Sequence, residues 1–303
     1  MTVEKKHWFQ IAFQLKGSVI SAIYKRVICC ALFGVLVSLL YFLKIPVSQP
    51  ILSSVIPSIV LGLLLVFRTN TAYDRFWDGR KCWGSIVNNT RNIARQIWVS
   101  VDEKGTKDKE TKIAVLYLLV AFAVATKLHL RGERINQELE DLISPSKYFK
   151  LQTMNNPPLE IAFWIGDYLQ QQYTRNCLNS YQLTSIQELL NNLVDNLGAC
   201  ERILKTPMPL AYSIHLKQLL LLYCLLLPFQ MVENLGWWTG LFVGIVSFTL
   251  FGIEAIGLEI ENPFGYDAND LPLDAICLTM KRNIEDLISL SPNVRLSMMG
   301  GKP

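Results

Sequence analysis

The sequence predicts an all-α membrane protein with four transmembrane helices and a large helical region in water. Its 303 residues are 51% apolar and 18% charged, with a mean hydropathy of +0.27. That composition is too oily for an ordinary soluble domain and too polar for a chain lying wholly in a membrane. The apolar residues also gather in runs near the roughly 20 residues that a spanning helix needs. No segment alternates with a period of two for long enough to indicate a sheet.

Four apolar runs account for the predicted spans, which pair as two hairpins. The third run is the shortest and contains Pro228, so it reaches full length only if Lys217 extends its ammonium to the membrane surface. The fourth opens with two tryptophans, which suit a membrane interface. In chain order the runs are Val27–Leu43, Ile45–Phe67, Leu219–Val232 and Leu235–Ile253.

The second span is predicted to continue into water as one unbroken helix. No glycine or proline follows Phe67 before Gly79, and apolar residues recur at three- and four-residue intervals until about Ser100. A solvated loop is predicted next, over residues 101–112. A fifth apolar run, Ile113–Thr126, has only fourteen residues, a length more typical of a buried helix than of a span.

The distribution of basic residues predicts the topology. Ten Lys or Arg lie between Phe67 and Ile113, whereas the connection after the first span holds only Lys44. Because basic loops stay on the cytoplasmic side, both termini and the long middle region are predicted to be cytoplasmic. The predicted segments are an amphipathic N-terminal arm (1–26), a first hairpin (27–67), a cytoplasmic helical region (68–209), a second hairpin (210–258) and a cytoplasmic C-terminal segment (259–303).

Residue types that carry catalysis or bind metals form no recognisable group in the sequence. The three histidines lie apart, no HExxH, GxSxG or glycine-rich phosphate loop occurs, and the seven cysteines contain no CxxC pair. We therefore expect no enzymatic activity, no cysteine metal site and no nucleic-acid partner.

The second span carries an apolar stripe at Ile59, Leu63 and Phe67. Positions i, i+4 and i+8 stack along one face of a helix. Around an axis between identical subunits, such a stripe would form successive apolar rings, which can gate a pore by dewetting. The spacing is equally typical of a lipid-facing or core surface.

Two segments of the sequence resemble the bestrophin family of ion channels, in its bacterial and chloroplast branch. They are FRTNTAYDRFWDGRKCWG at 67–84 and ENPFGYDANDLPLDAIC at 261–277. They stand in the order expected for that family, with the four spans between and around them. The resemblance covers roughly residues 20–290. It implies a homopentamer with one axial pore in a lipid bilayer, and a neck lined by Ile59, Leu63 and Phe67.

The same resemblance assigns a set of signature residues. We expect the arginines among them to pair with Asp74, Asp78 or Glu261 rather than to contact the permeating ion. The set comprises Arg68, Asn70, Tyr73, Asp74, Arg75, Trp77 and Arg80 in the first segment, and Glu261, Asn262, Pro263, Phe264 and Gly265 in the second.

The acidic run after Gly265 is the only cofactor candidate. In animal relatives a run of this kind forms a calcium clasp. Here consecutive carboxylates are fewer, and the spacing does not fit an EF-hand loop, so a structural turn is favoured over a calcium site. The candidate ligands are Asp267, Asn269, Asp270 and Asp274.

The family also implies a second, cytoplasmic constriction near the start of the helix after Asn179. The candidates for lining it are Tyr181 and Ile186.

The permeating ion is predicted to be chloride or a similar monovalent anion. A net charge of +4 and the animal and plant relatives both favour anions. A monovalent cation channel of the same fold and a non-conducting scaffold or sensor are the alternatives. The bacterial plasma membrane is the favoured location, and an internal photosynthetic membrane is the alternative.

Overall fold

The computed structural model of the protein describes residues 10, 14, 17–49 and 55–290. Most of the N-terminal arm expected at 1–26, and the end of the C-terminal segment from residue 291, lie outside the described residues. Within the described part, all the regular secondary structure is helical, in agreement with the predicted class.

The described residues form ten α-helices and one short 3-10 turn, Gly236–Trp238. In chain order the helices are α1 Ile20–Phe42, α2 Ile56–Ser100, α3 Asp108–Arg131, α4 Gln137–Glu140, α5 Pro145–Leu151, α6 Pro157–Thr174, α7 Ser180–Lys205, α8 Leu210–Leu235, α9 Thr239–Glu259 and α10 Leu273–Ser289.

The chain divides into two compact units, with α2 contributing to both. The first unit holds the described residues up to Trp77 together with Thr206–Asp270. The second holds Asp78–Lys205 and the described residues from Leu271 onward.

The first unit is a bundle of α1, the first half of α2, α8 and α9. Its core is apolar and includes Ile23, Leu65, Leu220 and Phe251. Small residues bring α1 and α9 close together: a Cβ on Gly34 would lie 3.0 Å from the Gly240 Cα. In a membrane the hydrophobic effect does not drive helices together, so their association depends on the close packing that small residues allow.

The helices of this bundle alternate in direction. Phe42, at the end of α1, stacks on Trp237 at 4.3 Å, beside the turn that joins α8 to α9. At the opposite end, Tyr212 near the start of α8 donates to the Leu64 carbonyl at 2.6 Å. The starts of α1 and α8 therefore lie at one end of the bundle, as two consecutive hairpins require.

The second span begins later than the sequence indicated. Ile45–Gln49 is not helical, and α2 begins at Ile56; residues 50–54 lie outside the described part. Lys44 adopts a left-handed backbone at φ 63°, and Pro46 cannot donate to a helical hydrogen bond. From Ile56 the helix runs 45 residues to Ser100, which confirms the predicted continuation and makes a rod of roughly 67 Å.

Among the described residues, four stretches are long and apolar enough to cross a membrane: those that contain α1, α2, α3 and the α8–α9 pair. In α3, 78% of the most apolar window is buried inside the protein, against 22–39% in the others. Because its apolar surface is already covered, α3 is a core helix, as the shortness of its apolar run predicted.

The loop before α3 is shorter than predicted. The helix begins at Asp108, so Lys112 lies inside it rather than in a solvated loop, and Lys112 is only 3% exposed. Its ammonium donates to Glu103 at 2.9 Å and to the Trp98 carbonyl at 3.3 Å. These acceptors compensate for the loss of water around the charge. In the same unit, α6, α7 and α10 pack against α3.

Candidate functional site

The first half of α2 has one apolar face that the rest of the described chain leaves uncovered. Ile59, Leu63 and Phe67 are 54%, 52% and 60% exposed. Leu61 and Leu65, on the opposite face, are 3% and 2% exposed in the core of the first unit. The three predicted neck residues therefore share a surface that meets either lipid or another copy of the chain.

The same face becomes polar immediately after Phe67. Asn70 and Asp74 follow at three- and four-residue intervals, and both are exposed. A Cβ built on Gly62 would have no neighbour within 4 Å, so the flank of the stripe is open to close approach. The exposed signature side chains along α2 are Asn70, Tyr73, Asp74, Trp77 and Arg80.

Arg68 points the other way, into the bundle, and is 1% exposed. Its Nη1 donates to the Ser213 hydroxyl at 3.1 Å, and its Nη2 donates to Glu261 Oε2 at 3.2 Å. A Cβ on Gly257 would lie 3.4 Å from Arg68 Nε, so the glycine makes room for the guanidinium. Arg68 thereby joins α2 to the start of α8 and to the segment after α9.

Glu261 accepts hydrogen bonds from several donors. Its Oε1 accepts the Met208 backbone N–H at 2.9 Å, and its carbonyl accepts Arg75 Nε at 3.1 Å. Arg75 Nη1 also donates to the Thr206 carbonyl. The expected pairing of Arg68 with Glu261 is therefore present, and both inward arginines are held by structural acceptors.

The NPFG segment forms a buried turn. Pro263 and Phe264 are buried, and Asn262 Oδ1 accepts the Phe264 N–H at 3.3 Å. A Cβ on Gly265 would lie 2.7 Å from Asp270 Oδ2, and that oxygen accepts the Asp267 N–H at 2.8 Å. The glycine is thus needed for Asp270 to close the turn.

The candidate calcium ligands engage protein groups. Asn269 Nδ2 donates to Glu259 at 2.8 Å and to the Gly17 carbonyl at 3.2 Å. Asp274 accepts Lys127 at 2.8 Å and Arg131 at 3.1 Å.

Partial burial opposes ionisation of Asp274, but the hydrogen bonds and charges of Lys127 and Arg131 outweigh it and lower the pKa of this carboxyl. In the described ranges, no group of three His, Cys, Asp or Glu is placed to hold a metal. Asn269, Asp270 and Asp274 bond to groups of the protein itself, so the structural turn stays the favoured interpretation of this run.

The two candidates for the second constriction lie on different faces of α7. Tyr181 is 87% exposed, but Ile186 is 0% exposed in the core of the second unit. Five residues turn a helix by roughly 140°, so the two side chains cannot share one surface. Ile186 packs in the core and is not available to line an opening, which corrects that prediction; Tyr181 stays a candidate.

A family model described as Bacterial/Fungal Bestrophin protein matches residues 1–286. The chain belongs to the bestrophin family. This confirms the resemblance carried by the two signature segments. Since solved membrane proteins of the family share its fold, this bestrophin is an integral, multi-pass membrane protein.

Two similar proteins are named voltage-dependent anion channel-forming proteins. One, from Nostoc sp., is 87% identical over 300 residues, covering 99% of this chain and 98% of that protein. Another, from Synechocystis sp., is 59% identical, covering 94% and 93%. A crystal structure of a bacterial bestrophin homologue from Klebsiella pneumoniae is 27% identical, with a TM-score of 0.82 over 88% of this chain and 99% of that one. These channel names agree with the expectation that the bestrophin is not an enzyme.

Besides Lys112, sequence reasoning missed the burial of Lys127 and Glu254 in this bestrophin. Lys127, 3% exposed in its side chain, pairs with Glu138 at 2.6 Å as well as with Asp274. Glu254 is 1% exposed within α9. Glu254 carried a readable signal, because an acidic residue inside an apolar span is costly and marks a functional candidate. Lys127 carried none, since its partners Glu138 and Asp274 lie on other helices and at no helical spacing from it.

Proposed function

We propose that this bestrophin forms an anion channel, a ring of identical subunits around one axial pore. Ile59, Leu63 and Phe67 form the neck, and the ring is a pentamer, as the family resemblance implies. The observation that carries the proposal is the uncovered apolar stripe on the helix face opposite the core. Around an axis it forms three apolar rings, which close by dewetting and open when they widen.

The polar residues beyond the stripe fit a pore that opens into a cytoplasmic vestibule. Asn70 and Asp74 continue the same exposed face of α2, where water would return as the neck opens into a vestibule. In the proposed topology these residues lie in the cytoplasmic region just beyond the neck, where a water-filled vestibule accommodates polar side chains on the same helix face. The exposed Tyr181 is the remaining candidate for the second constriction.

The sign of the ion rests on two arguments. The relatives from Nostoc and Synechocystis are named as anion channel-forming proteins, and each subunit carries a net charge of +4, which favours anions in the surrounding field. Asp74 on the neck face supports the alternative of a monovalent cation channel. Because an uncharged neck discriminates weakly by sign, the preference for chloride comes from the net charge and from the names of the relatives.

The proposed topology places both termini and the region 68–209 in the cytoplasm, with the bacterial plasma membrane as the location. The starts of α1 and α8 lie at one end of the bundle, and basic residues cluster along the chain at that end. That end is therefore assigned to the cytoplasmic surface.

The test is a recording from purified protein in planar bilayers under a tenfold KCl gradient, over a range of voltages. We expect currents that reverse near the chloride equilibrium potential. Leu63→Ala and Phe67→Ala should enlarge the neck and raise conductance or open probability. Matched controls are Leu32→Ala and Phe248→Ala, which shorten exposed side chains on α1 and α9.

The outcomes separate the candidates. Reversal near the potassium equilibrium potential would establish the cation channel. Absence of current from correctly assembled protein would leave the non-conducting scaffold. Equal effects of the neck and control variants would refute the pore assignment even if anion currents were present.

A further inference from the structure

A cavity of about 520 Å³ opens among α1, α8 and α9, within the first unit. Two helical stripes line it, and each begins with a lysine and continues with apolar or weakly polar side chains towards the middle of the span. Their spacing of i, i+4 and i+8 keeps each stripe on one face. The stripes are Lys25, Cys29 and Phe33 on α1, and Lys217, Leu221 and Leu225 on α8.

One wall of this cavity is a buried carboxylate without a hydrogen-bond donor. Glu254 is 1% exposed, and neither of its carboxylate oxygens accepts a hydrogen bond. Its nearest cation is Arg26, whose Nη1 lies 3.7 Å from Oε2. An ionised group buried without hydrogen bonds is unfavourable, so the site calls for donors from a ligand.

We propose that this cavity binds an anionic glycerolipid whose headgroup carries hydroxyl groups, of which phosphatidylglycerol is the simplest. The phosphate lies among Lys25, Arg26 and Lys217. A headgroup hydroxyl donates to Glu254, and one acyl chain follows the apolar residues of the two stripes. This assignment gives each chemical part of the cavity a matching part of the ligand.

The arrangement favours a lipid over a free anion. A free phosphate would satisfy the cations but leave the apolar two-thirds of the stripes wet. The cavity also lies at the end of the bundle where α1 and α8 begin, the level at which headgroups of the cytoplasmic leaflet lie in the proposed topology. Basic pockets between spans on that side recognise anionic headgroups.

Native mass spectrometry of the purified full-length protein in detergent tests the proposal without any ion flow. Phosphatidylglycerol, phosphatidic acid and phosphatidylcholine of identical chains serve as probes. We expect phosphatidylglycerol to bind more tightly than phosphatidylcholine. Arg26→Gln with Lys217→Gln should weaken it by roughly 25-fold, about fivefold for each cation. Lys44→Gln, a cation of the first unit that does not line the cavity, should leave binding unchanged.

Glu254→Gln examines the hydroxyl contact. At a pH where its phosphate is fully ionised, phosphatidic acid has no hydroxyl to donate, so wild-type protein should prefer phosphatidylglycerol over it. The variant should lose that preference while it still favours anionic lipids. Retention of the wild-type oligomer on size exclusion shows that each variant has folded.

Several results would overturn the proposal. Equal affinity for phosphatidylglycerol and phosphatidylcholine would show that the cavity does not recognise the anionic headgroup. An unchanged affinity in the double variant would show that the lipid binds elsewhere. Displacement of the lipid by glycerol phosphate at the same concentration would make the site one for free anions. If the purified wild type carried no lipid and Leu221→Trp caused the oligomer to dissociate, the cavity would be filled by a second copy of the chain.

Discussion

The Arg68–Glu261 ion pair should be the most sensitive polar contact of the first unit. Glu261→Ala removes the carboxylate that accepts Arg68 and the Met208 N–H. Arg68, 1% exposed, would keep only Ser213 as an acceptor for its guanidinium.

The expected loss of stability follows from burial. Removing one partner of a buried ion pair costs about 3–5 kcal/mol. The Glu261 side chain retains 16% exposure, so water can partly replace it, and we expect the low end, about 3 kcal/mol. Glu261→Gln keeps an acceptor but loses the charge, and should cost about 1–2 kcal/mol.

Unfolding of the detergent-solubilised protein, followed by tryptophan fluorescence, measures these differences. Asp78→Ala is the matched control, since the Asp78–Lys81 pair is about 60% exposed on both sides and contributes under about 1 kcal/mol. Replacing both Arg68 and Glu261 with apolar residues should recover part of the loss, because no buried charge is then left unpaired. If Glu261→Ala and Asp78→Ala were equally stable, the structural role of the pair would be refuted.

Two further predictions concern helix packing and pH. Gly240→Ala should lower the free energy of unfolding by about 1–3 kcal/mol, because its Cβ would collide with the Val35 side chain. The control is Gly198→Ala, whose Cβ would have no neighbour within 4 Å, and it should be neutral or slightly stabilising. Equal effects of the two substitutions would contradict the tight contact between α1 and α9. The pKa of Asp274 is lowered in the folded protein, so its stabilising contribution is complete above the ordinary pKa of 3.8 and is lost as the pH falls through the lower folded value. Asp274→Asn should flatten the acid side of the stability curve, and an unchanged slope would exclude this contribution.

Local patterns predicted the long elements well. The charge-free run from Ile56 to Phe67 and the apolar period after Trp83 both belong to α2, which reaches Ser100 as expected. The fourteen-residue run at 113–126 was correctly separated from the spans by its length alone. In both cases the hydrophobic pattern extends over many residues, so contacts with distant segments rarely change the secondary structure that it predicts.

Single side chains were predicted less well, because their surroundings come from distant segments. Lys112 was expected in water, yet Glu103 and the Trp98 carbonyl accept its ammonium in a buried position. Ile186 differs, since the sequence spaces it at three- and four-residue intervals from Leu190, Leu193 and Leu197, a pattern that indicates one apolar helix face. These four residues lie on the buried face of α7 in the structure. For Ile186, the periodic pattern therefore predicted the environment correctly, whereas the family resemblance did not.

The structure of one subunit does not decide whether the stripe of Ile59, Leu63 and Phe67 faces a pore or lipid. Ile59, Leu63 and Phe67 are about half exposed because no described residue of their own subunit covers them, and apolar residues of α1 such as Leu32 are exposed to a similar degree. Exposure therefore identifies the face but not its neighbour. In the next turns of helix, α2 places Asn70 and Asp74 on the line of the stripe, within the region proposed to be cytoplasmic. Water surrounds these side chains beyond the membrane whether the stripe faces a pore or lipid, so the comparison of the neck variants with Leu32→Ala and Phe248→Ala decides between the two surfaces.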